Sequence, residues 1–368
     1  MRPAAKFCLL LAVSALTAFS IRSLMAQDAE SQVKREVERL QRSLKEKPIT
    51  DPDFAPVNNM AADGLKSAAE ALNKGQLYVS LERLNSASSL LQGARTGEEK
   101  ADAVKSGLPA FDTEWGKASL QLTSLDQNAR QRDWSKSPLA IRALAEAAQG
   151  RSIPLLDGSR GFATSTKPKD GLFYMGQAQS EAEFAKFCAS LQVPHKPASL
   201  KLRSFLPELQ KLQEKTNAAF QPPKSIDQHS RFIALNSALK LAKELDSSKF
   251  YAGALYEYLE ATRHYGMIEG AAVDPAKQAT LKNAVNDAQK KLDTSPQDDS
   301  IAQLIIERAN SYLTHPDGSA PTSDEWKAAQ VILEQVLPAY TAAEKPAVPV
   351  QRASGKTVDI TLVRWPYT

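Results

Sequence analysis

Residues 65–87 read LKSAAEALNKGQLYVSLERLNSA, and residues 239–261 read LKLAKELDSSKFYAGALYEYLEA. Laid one over the other, they match Leu65 to Leu239, Lys66 to Lys240, Ala68 to Ala242, Glu70 to Glu244, Leu81 to Leu255 and Ala87 to Ala261. Apolar residues recur at intervals of three and four in both, the spacing that puts one buried stripe on a helix. In the first stretch Leu65, Ala68, Ala69 and Leu72 form one stripe, and Leu81, Leu84, Ala87 and Leu91 form the next. Only Asn73-Lys74-Gly75 separates them, so the two helices turn back on each other as an antiparallel hairpin.

The same periodicity runs through most of the chain. Val33, Val37, Leu40 and Leu44 mark an N-terminal helix within residues 27–47, and the stretch from Pro48 to Pro56 reads as a linker. A helix is expected around Trp115, Ala118, Leu122 and Leu125. Ser137-Pro138 then supplies a start signal for Leu139 to Gln149. From Gly150 to Gly171 the residues Pro154, Gly158, Gly161 and Pro168 each cost helix stability, and the stretch reads as a short imperfect helix followed by a loop. Further helices are expected at 172–191, 201–220, 228–246, 249–265, 275–293, 298–314 and 322–343. The organisation is one hairpin region at 57–192, a second at 193–345, and a Pro-containing linker with an extended tail at 346–368. The class is mainly α, with antiparallel hairpins stacked as an α-solenoid-type array.

Small residues at Ala68, Ser80 and Ala87, and again at Ala242, Ala254 and Ala261, let paired helices approach closely, while Leu84 and Tyr258 fill the groove between hairpins. In this spacing the chain resembles tetratricopeptide repeat proteins. The resemblance covers about 34 residues in each window. A third trace runs through Ala140, Ser152, Leu156 and Ser159. The early tryptophan of the family's pattern is replaced by Gly64 and Ala238, and Gly266 stands where the closing proline would be. The resemblance implies a protein that binds other proteins or peptides through a groove.

At the start, Arg2 and Lys6 precede an uncharged apolar run from Phe7 to Ile21, too short for a membrane span and typical of a signal peptide, with cleavage expected after Ala26. Export to the periplasm or beyond is the expectation, with no transmembrane span after cleavage. Cys8 lies at the beginning of the run, where a lipid-modified cysteine would not. Loss of Arg2, Lys6 and Arg22 lowers the formal charge from +4 to +1. A chain so near neutrality carries no basic excess for nucleic acid. Cys188 is then the lone cysteine, which excludes an internal disulfide, and its place beside Phe184, Phe187 and Leu191 reads as a buried small hydrophobe.

Motifs for chemistry are weak. Ser237-Ala238-Leu239-Lys240 has the spacing of a lysine-activated serine but lacks companion motifs, since Lys356-Thr357 is followed by Val358. Ser159 lacks the first glycine of a nucleophile elbow, and Gly355-Lys356-Thr357 lacks the earlier glycine of a phosphate loop. His195, His229, His264 and His315 are scattered, so no local metal site exists and no cofactor is expected. The candidate partner-binding residues are Tyr256 and Arg263, which the helical angle turns away from Tyr251, Leu255, Tyr258 and Tyr265. To these are added Val358, Ile360 and Leu362, an alternating strand signal that could extend a partner's sheet with Trp365 and Tyr367 as anchors. The expected function is a non-enzymatic scaffold or adaptor for protein or peptide partners in the envelope. The alternatives are an envelope hydrolase whose site is assembled from distant residues, or a structural protein without a ligand.

Overall fold

Val33, Val37, Leu40 and Leu44 lie on the buried stripe of a helix over residues 29–46, α1. The computed structural model describes residues 29–344, apart from 136, 194, 196–199, 222–225, 298 and 316–317. The expected signal peptide and the tail carrying Val358 to Tyr367 lie outside the described residues. The chain runs on through α2 (Val57–Asn73), α3 (Leu77–Glu99), α4 (Leu108–Arg130), α5 (Leu139–Ser165), α6 (Pro168–Ser190), α7 (Leu206–Ala219), α8 (His229–Ser247), α9 (Tyr251–Glu269), α10 (Gln278–Asp293), α11 (Ser300–Leu313), α12 (Ser323–Val331) and α13 (Leu337–Ala343). The protein is mainly α, with no strand among the described residues.

The two stretches that match in sequence match in structure. The shift that lays Leu65 on Leu239 also lays the end of α2 at Asn73 on the end of α8 at Ser247, and the start of α3 at Leu77 on the start of α9 at Tyr251. Both turns close in the same way. Gly75 (φ 72°) and Lys249 (φ 65°) take the left-handed conformation. Gln76 N–H returns to the Ala71 carbonyl and Phe250 N–H to the Leu245 carbonyl, each at 2.9 Å, which satisfies carbonyls that a helix end leaves unpaired. Ala68, Ser80, Ala87, Ala242, Ala254 and Ala261 are all buried. A Cβ placed on Gly64 would lie 3.0 Å from that of Ala87, so the position has no room for the family's tryptophan.

Residues 150–165 differ from expectation. α5 is continuous through Pro154, Gly158 and Gly161, and only a short break before Pro168 separates it from α6. The helix persists because its partners outweigh propensity: Ser152, Leu156, Ser159 and Ala163 are buried against α6 and α4, and Trp115 Nε1 donates to the Leu156 carbonyl at 2.9 Å. The third trace of the repeat therefore lies on one straight-through helix, with no turn inside it.

Packing order follows from where glycines let backbones meet. α3 lies along α6, where a Cβ on Gly93 would come within 2.9 Å of the Phe173 carbonyl and one on Gly176 within 2.7 Å of the Gln92 carbonyl. α5 lies along α9, where a Cβ on Gly253 would come within 2.9 Å of the Ala147 nitrogen. Successive hairpins thus meet as α2/α3, α6/α5 and α9/α8, with α11 and α12 covering α3 and α9. The main core runs from Val33 to Ala343 through both hairpin regions. The expected linker is part of it, since Ile49 and Phe54 are buried and Asn58 bonds both the N–H and the carbonyl of Ile49.

Four N-terminal turns have caps borrowed from distant helices rather than from their own first residues. Tyr78 and Val79 at the start of α3 donate to Glu307 Oε2 of α11, at 3.0 and 3.2 Å. At the matching place on α9, Gly253 N–H donates to Glu146 Oε2 of α5 at 2.9 Å. Ala140 at the start of α5 donates to Ser300 Oγ at 3.0 Å, and Phe205 before α7 to Asp246 Oδ2 at 2.6 Å. An acceptor at this end satisfies donors that the helix cannot and, when ionised, meets the positive end of its dipole.

Candidate functional site

α9 is the helix that the sequence singles out, and it sits deeper than its pattern suggests. From Tyr251 to Ile268 every residue is buried or half-buried, so Tyr256 and Arg263 do not face open solvent. Tyr256 Oη instead donates to Glu82 Oε1 at 2.8 Å and accepts from Arg308 at 3.2 Å. Arg308, from α11, also binds both Glu82 and Glu260, and Arg263 Nη2 reaches Glu260 at 3.0 Å. One turn along, Arg151 bridges Glu257 at 2.8 Å and Glu181 at 3.1 Å, and Asn85 donates to Glu181 at 3.0 Å. Five helices meet in this network: α3, α5, α6, α9 and α11.

Four carboxylates here face three guanidinium groups. The imbalance is relieved at Glu257, where burial pushes the carboxyl up to about 7 despite Arg151. Glu260 goes the other way: burial opposes its charge, but Arg263 and Arg308 outweigh it and hold it at about 2. Burial, then Arg263, lowers His264 to about 4. Glu307, outside the network, is pushed by burial to about 8 even though two backbone N–H groups favour its anion.

These shifts set the pH dependence of stability. Between the ordinary carboxyl value of 4.5 and about 8, folded Glu307 holds a proton that the unfolded chain has released. Its contribution is therefore full at low pH and is lost as pH rises through the folded value, at up to about 1.4 kcal/mol per pH unit. His264 acts oppositely below 6.5, where the unfolded chain takes up a proton that the folded one refuses. The melting temperature is expected to rise as pH falls from 8.5 to 6.5. Glu307→Gln, which keeps an acceptor for the two N–H groups and cannot ionise, should flatten that rise; an unchanged pH profile in differential scanning calorimetry would refute the assignment.

A groove of about 500 Å³ between α5, α8 and α9 opens onto this network. Two carboxyls of well-separated acidity, one turn apart on its floor, form the arrangement that acid–base catalysis uses. Here each is held by a guanidinium: Glu257 by Arg151, and Glu260 by Arg263 and Arg308. Ser237 also lines it, but Lys240 faces Glu244 at 3.8 Å, and no hydrogen bond joins the two among the described residues. Ser159 is buried and donates to the Leu156 carbonyl. Cys188 is fully buried, which raises its thiol well above the ordinary value. No cluster of three metal-binding side chains occurs among the described residues.

A second groove, of about 510 Å³, lies between α1, α3 and α6 with Gln121 of α4 at its edge. Its floor is apolar, made by Leu84, Leu91 and Phe184, and Ser88 and Ser180 meet across it at 3.1 Å. Arg95 stands in its wall. The Nε and Nη2 atoms of Arg95 are buried and bond to nothing among the described residues, and burial lowers its pKa. Each acid nearby is committed elsewhere. Glu99, at the i, i+4 position that would ordinarily take an arginine, pairs with Lys47 at 2.5 Å. Glu98 accepts from Thr50 and Asp51, each backbone N–H at 2.9 Å. Glu36 holds Arg39 at 2.6 Å. Nothing in the heptad pattern of α3 marks Arg95 as unpaired, because its competitors come from residues 47–51.

No helix among the described residues is long and apolar enough to cross a membrane. Comparison with protein-family models, with curated proteins and with solved structures finds no match.

Proposed function

We propose that the protein is an exported, non-enzymatic helical binding protein of the envelope, an adaptor that holds a protein or peptide partner in the groove between α1, α3 and α6. One contrast carries this reading. The ionisable groups of the α9 network are paired with one another across helices, whereas Arg95 lines a groove with two buried donors and no partner among the described residues. The groove combines an apolar floor at Leu84, Leu91 and Phe184 with the amides of Gln92, Gln121 and Gln179, groups that suit the side chains and the backbone of a peptide. The small-residue hairpins α2/α3 and α8/α9 support a tetratricopeptide-like packing within each hairpin, and the close crossing of α3 and α6 at Gly93 and Gly176 gives the groove a preformed shape, as binding sites favour. The network around Tyr256 and Arg263 acts as a brace behind it.

The reading is tested by placing a photo-crosslinking amino acid at Gln179, in the groove wall, and at Gln210, on the exposed face of α7. On irradiation in envelope extract, Gln179 is expected to yield discrete adducts that Gln210 does not. Equal or absent adducts at both positions would end the proposal.

A further inference from the structure

We infer that the groove between α5, α8 and α9 binds a small molecule that carries a primary ammonium group on an apolar body, with Glu257 accepting from the ammonium. This site is separate from the peptide groove proposed above. The charged side chains that line it are Arg151 and Lys240 against Glu244, Glu257 and Glu260, one acid in excess. The groups bonded behind them add Arg263 and Arg308 against Glu82 and Glu181, and the excess stays at one. His264 does not fill it, because burial and Arg263 keep its ring neutral.

Glu257 is where that excess meets the groove. Its side chain is only 7% exposed, and Oε1 accepts from Arg151 at 2.8 Å. No donor among the described residues reaches Oε2, yet protein does not seal that atom, so a ligand in the groove can meet it. One free oxygen selects the cation. A guanidinium uses both oxygens of a carboxylate for its two-point bond, whereas an ammonium is a point charge that a single oxygen satisfies. A quaternary ammonium would need a cage of aromatic faces, and Tyr256 is the lone Phe, Tyr or Trp among the described lining residues. The walls are apolar at Leu155, Ala234, Ala238 and Leu241. Past Ser237 and Lys240 the groove runs on into another of about 620 Å³, where Phe220 and Ile233 stand 45% and 54% exposed. Apolar surface so placed suits the hydrocarbon part of a ligand. Lys240, at the junction, is turned toward Glu244 at 3.8 Å and leaves Glu257 unmet.

The ammonium takes the place of a proton. Burial raises Glu257 to about 7, opposed by Arg151 from α5 and reinforced by Glu260 on its own helix and Glu181 from α6. From α8 the groove receives Lys240 and Glu244 as a pair, and Tyr256 and His264 stay uncharged beside it. Below the folded value a cationic ligand must displace the proton, so binding strengthens as pH rises and releases up to one proton near neutrality.

The test is isothermal titration calorimetry of the full chain with 4-phenylbutylamine, 4-phenylbutanol and 4-phenylbutyrate. At pH 8 the amine is expected to bind about tenfold tighter than the alcohol, the factor one charged hydrogen bond contributes, and the acid is expected not to bind. Amine affinity should fall about tenfold from pH 8 to pH 6, with proton release read from buffers of different ionisation enthalpy. Glu257→Gln leaves Arg151 on Glu181 and removes the excess charge. Its melting temperature should hold or rise, while amine and alcohol bind equally and the pH dependence disappears. Ser237→Trp, at an exposed position on the rim, fills the groove without touching the network and should abolish amine binding. Equal binding of amine and alcohol by the native chain, a preference that survives in Glu257→Gln, or native-like amine binding by Ser237→Trp overturns the inference. So does the amidated tripeptide Gly-Lys-Gly binding as tightly as the amine, which would make the occupant a lysine side chain. Crosslinking at Gln179 probes the other groove, so each proposal fails on its own result.

Discussion

Arg308→Met is expected to cost about 3–5 kcal/mol of folding stability, the range for removing one partner of a buried charge pair. Arg308 is the hinge of the α9 network: it binds Glu82 and Glu260 at once, its side chain is only 13% exposed, and its guanidinium lies 5.7 Å from the centre of the Tyr256 ring. Methionine nearly fills the space of the stem, so the loss would come from Glu82 left beside Tyr256 without its cation and from Glu260 left with Arg263 alone, and not from a cavity. A cost of that size is a large share of a domain's usual margin of about 5–15 kcal/mol. The measurement is the urea midpoint at constant slope. Adding Glu82→Gln to the variant should recover part of the loss, because the carboxylate left without a cation goes with it while Glu260 keeps Arg263. A drop below about 1 kcal/mol in the single variant, or no recovery on adding Glu82→Gln, would show the network to be a solvated surface cluster instead.

The second large effect is expected at Gly253. In an open helix, replacing glycine stabilises, by about 0.8–1 kcal/mol for alanine. At Gly253 the sign should reverse, since a Cβ there would come within 2.9 Å of the Ala147 nitrogen and the Glu146 carbonyl carbon, both backbone atoms that cannot swing aside. Gly253→Val should therefore lose about 2–3 kcal/mol through overpacking. It should also pull Gly253 N–H away from its cap on Glu146. Gly161→Ala is the control: that glycine lies exposed on α5 with nothing near its Cβ position, and the substitution should raise stability. If both variants moved the melting temperature the same way, the close crossing of α5 and α9 would not hold in solution.

How far the sequence spoke depends on whether a feature is local. The stripes of α1, α2 and α3 were legible because each residue's burial follows from its own angle on the helix, and Val33, Val37, Leu65 and Leu81 are buried as their spacing demands. The turn at Gly75 was legible from its glycine. Pro154 and Gly158 misled, because propensity weighs a residue against water while α5 is weighed against α6 and α4. Tyr256 and Arg263 misled for a related reason. A helix wheel distinguishes apolar from polar faces, but on α9 the polar face is buried too, with charges arriving from α3, α5, α6 and α11. Arg95 was invisible: on α3 it looks like any surface arginine with a glutamate four residues on, and only the approach of Lys47 reveals that the glutamate is taken. No pattern within α3 contains that information.

The borrowed caps also govern the order in which this chain can mature. The first turn of α3 draws its acceptor from Glu307 and that of α5 from Ser300, so both remain unfinished until the ribosome has released residues some two hundred positions downstream. Contacts that distant close slowly and late. Native structure therefore cannot be locked in from the N-terminal end while the rest is still being synthesised. Truncation before α11 would leave the emerged half competent for helical turns and incompetent to finish them, a state that pulse-labelled hydrogen exchange would register as α3 amides protected only after the last helices arrive.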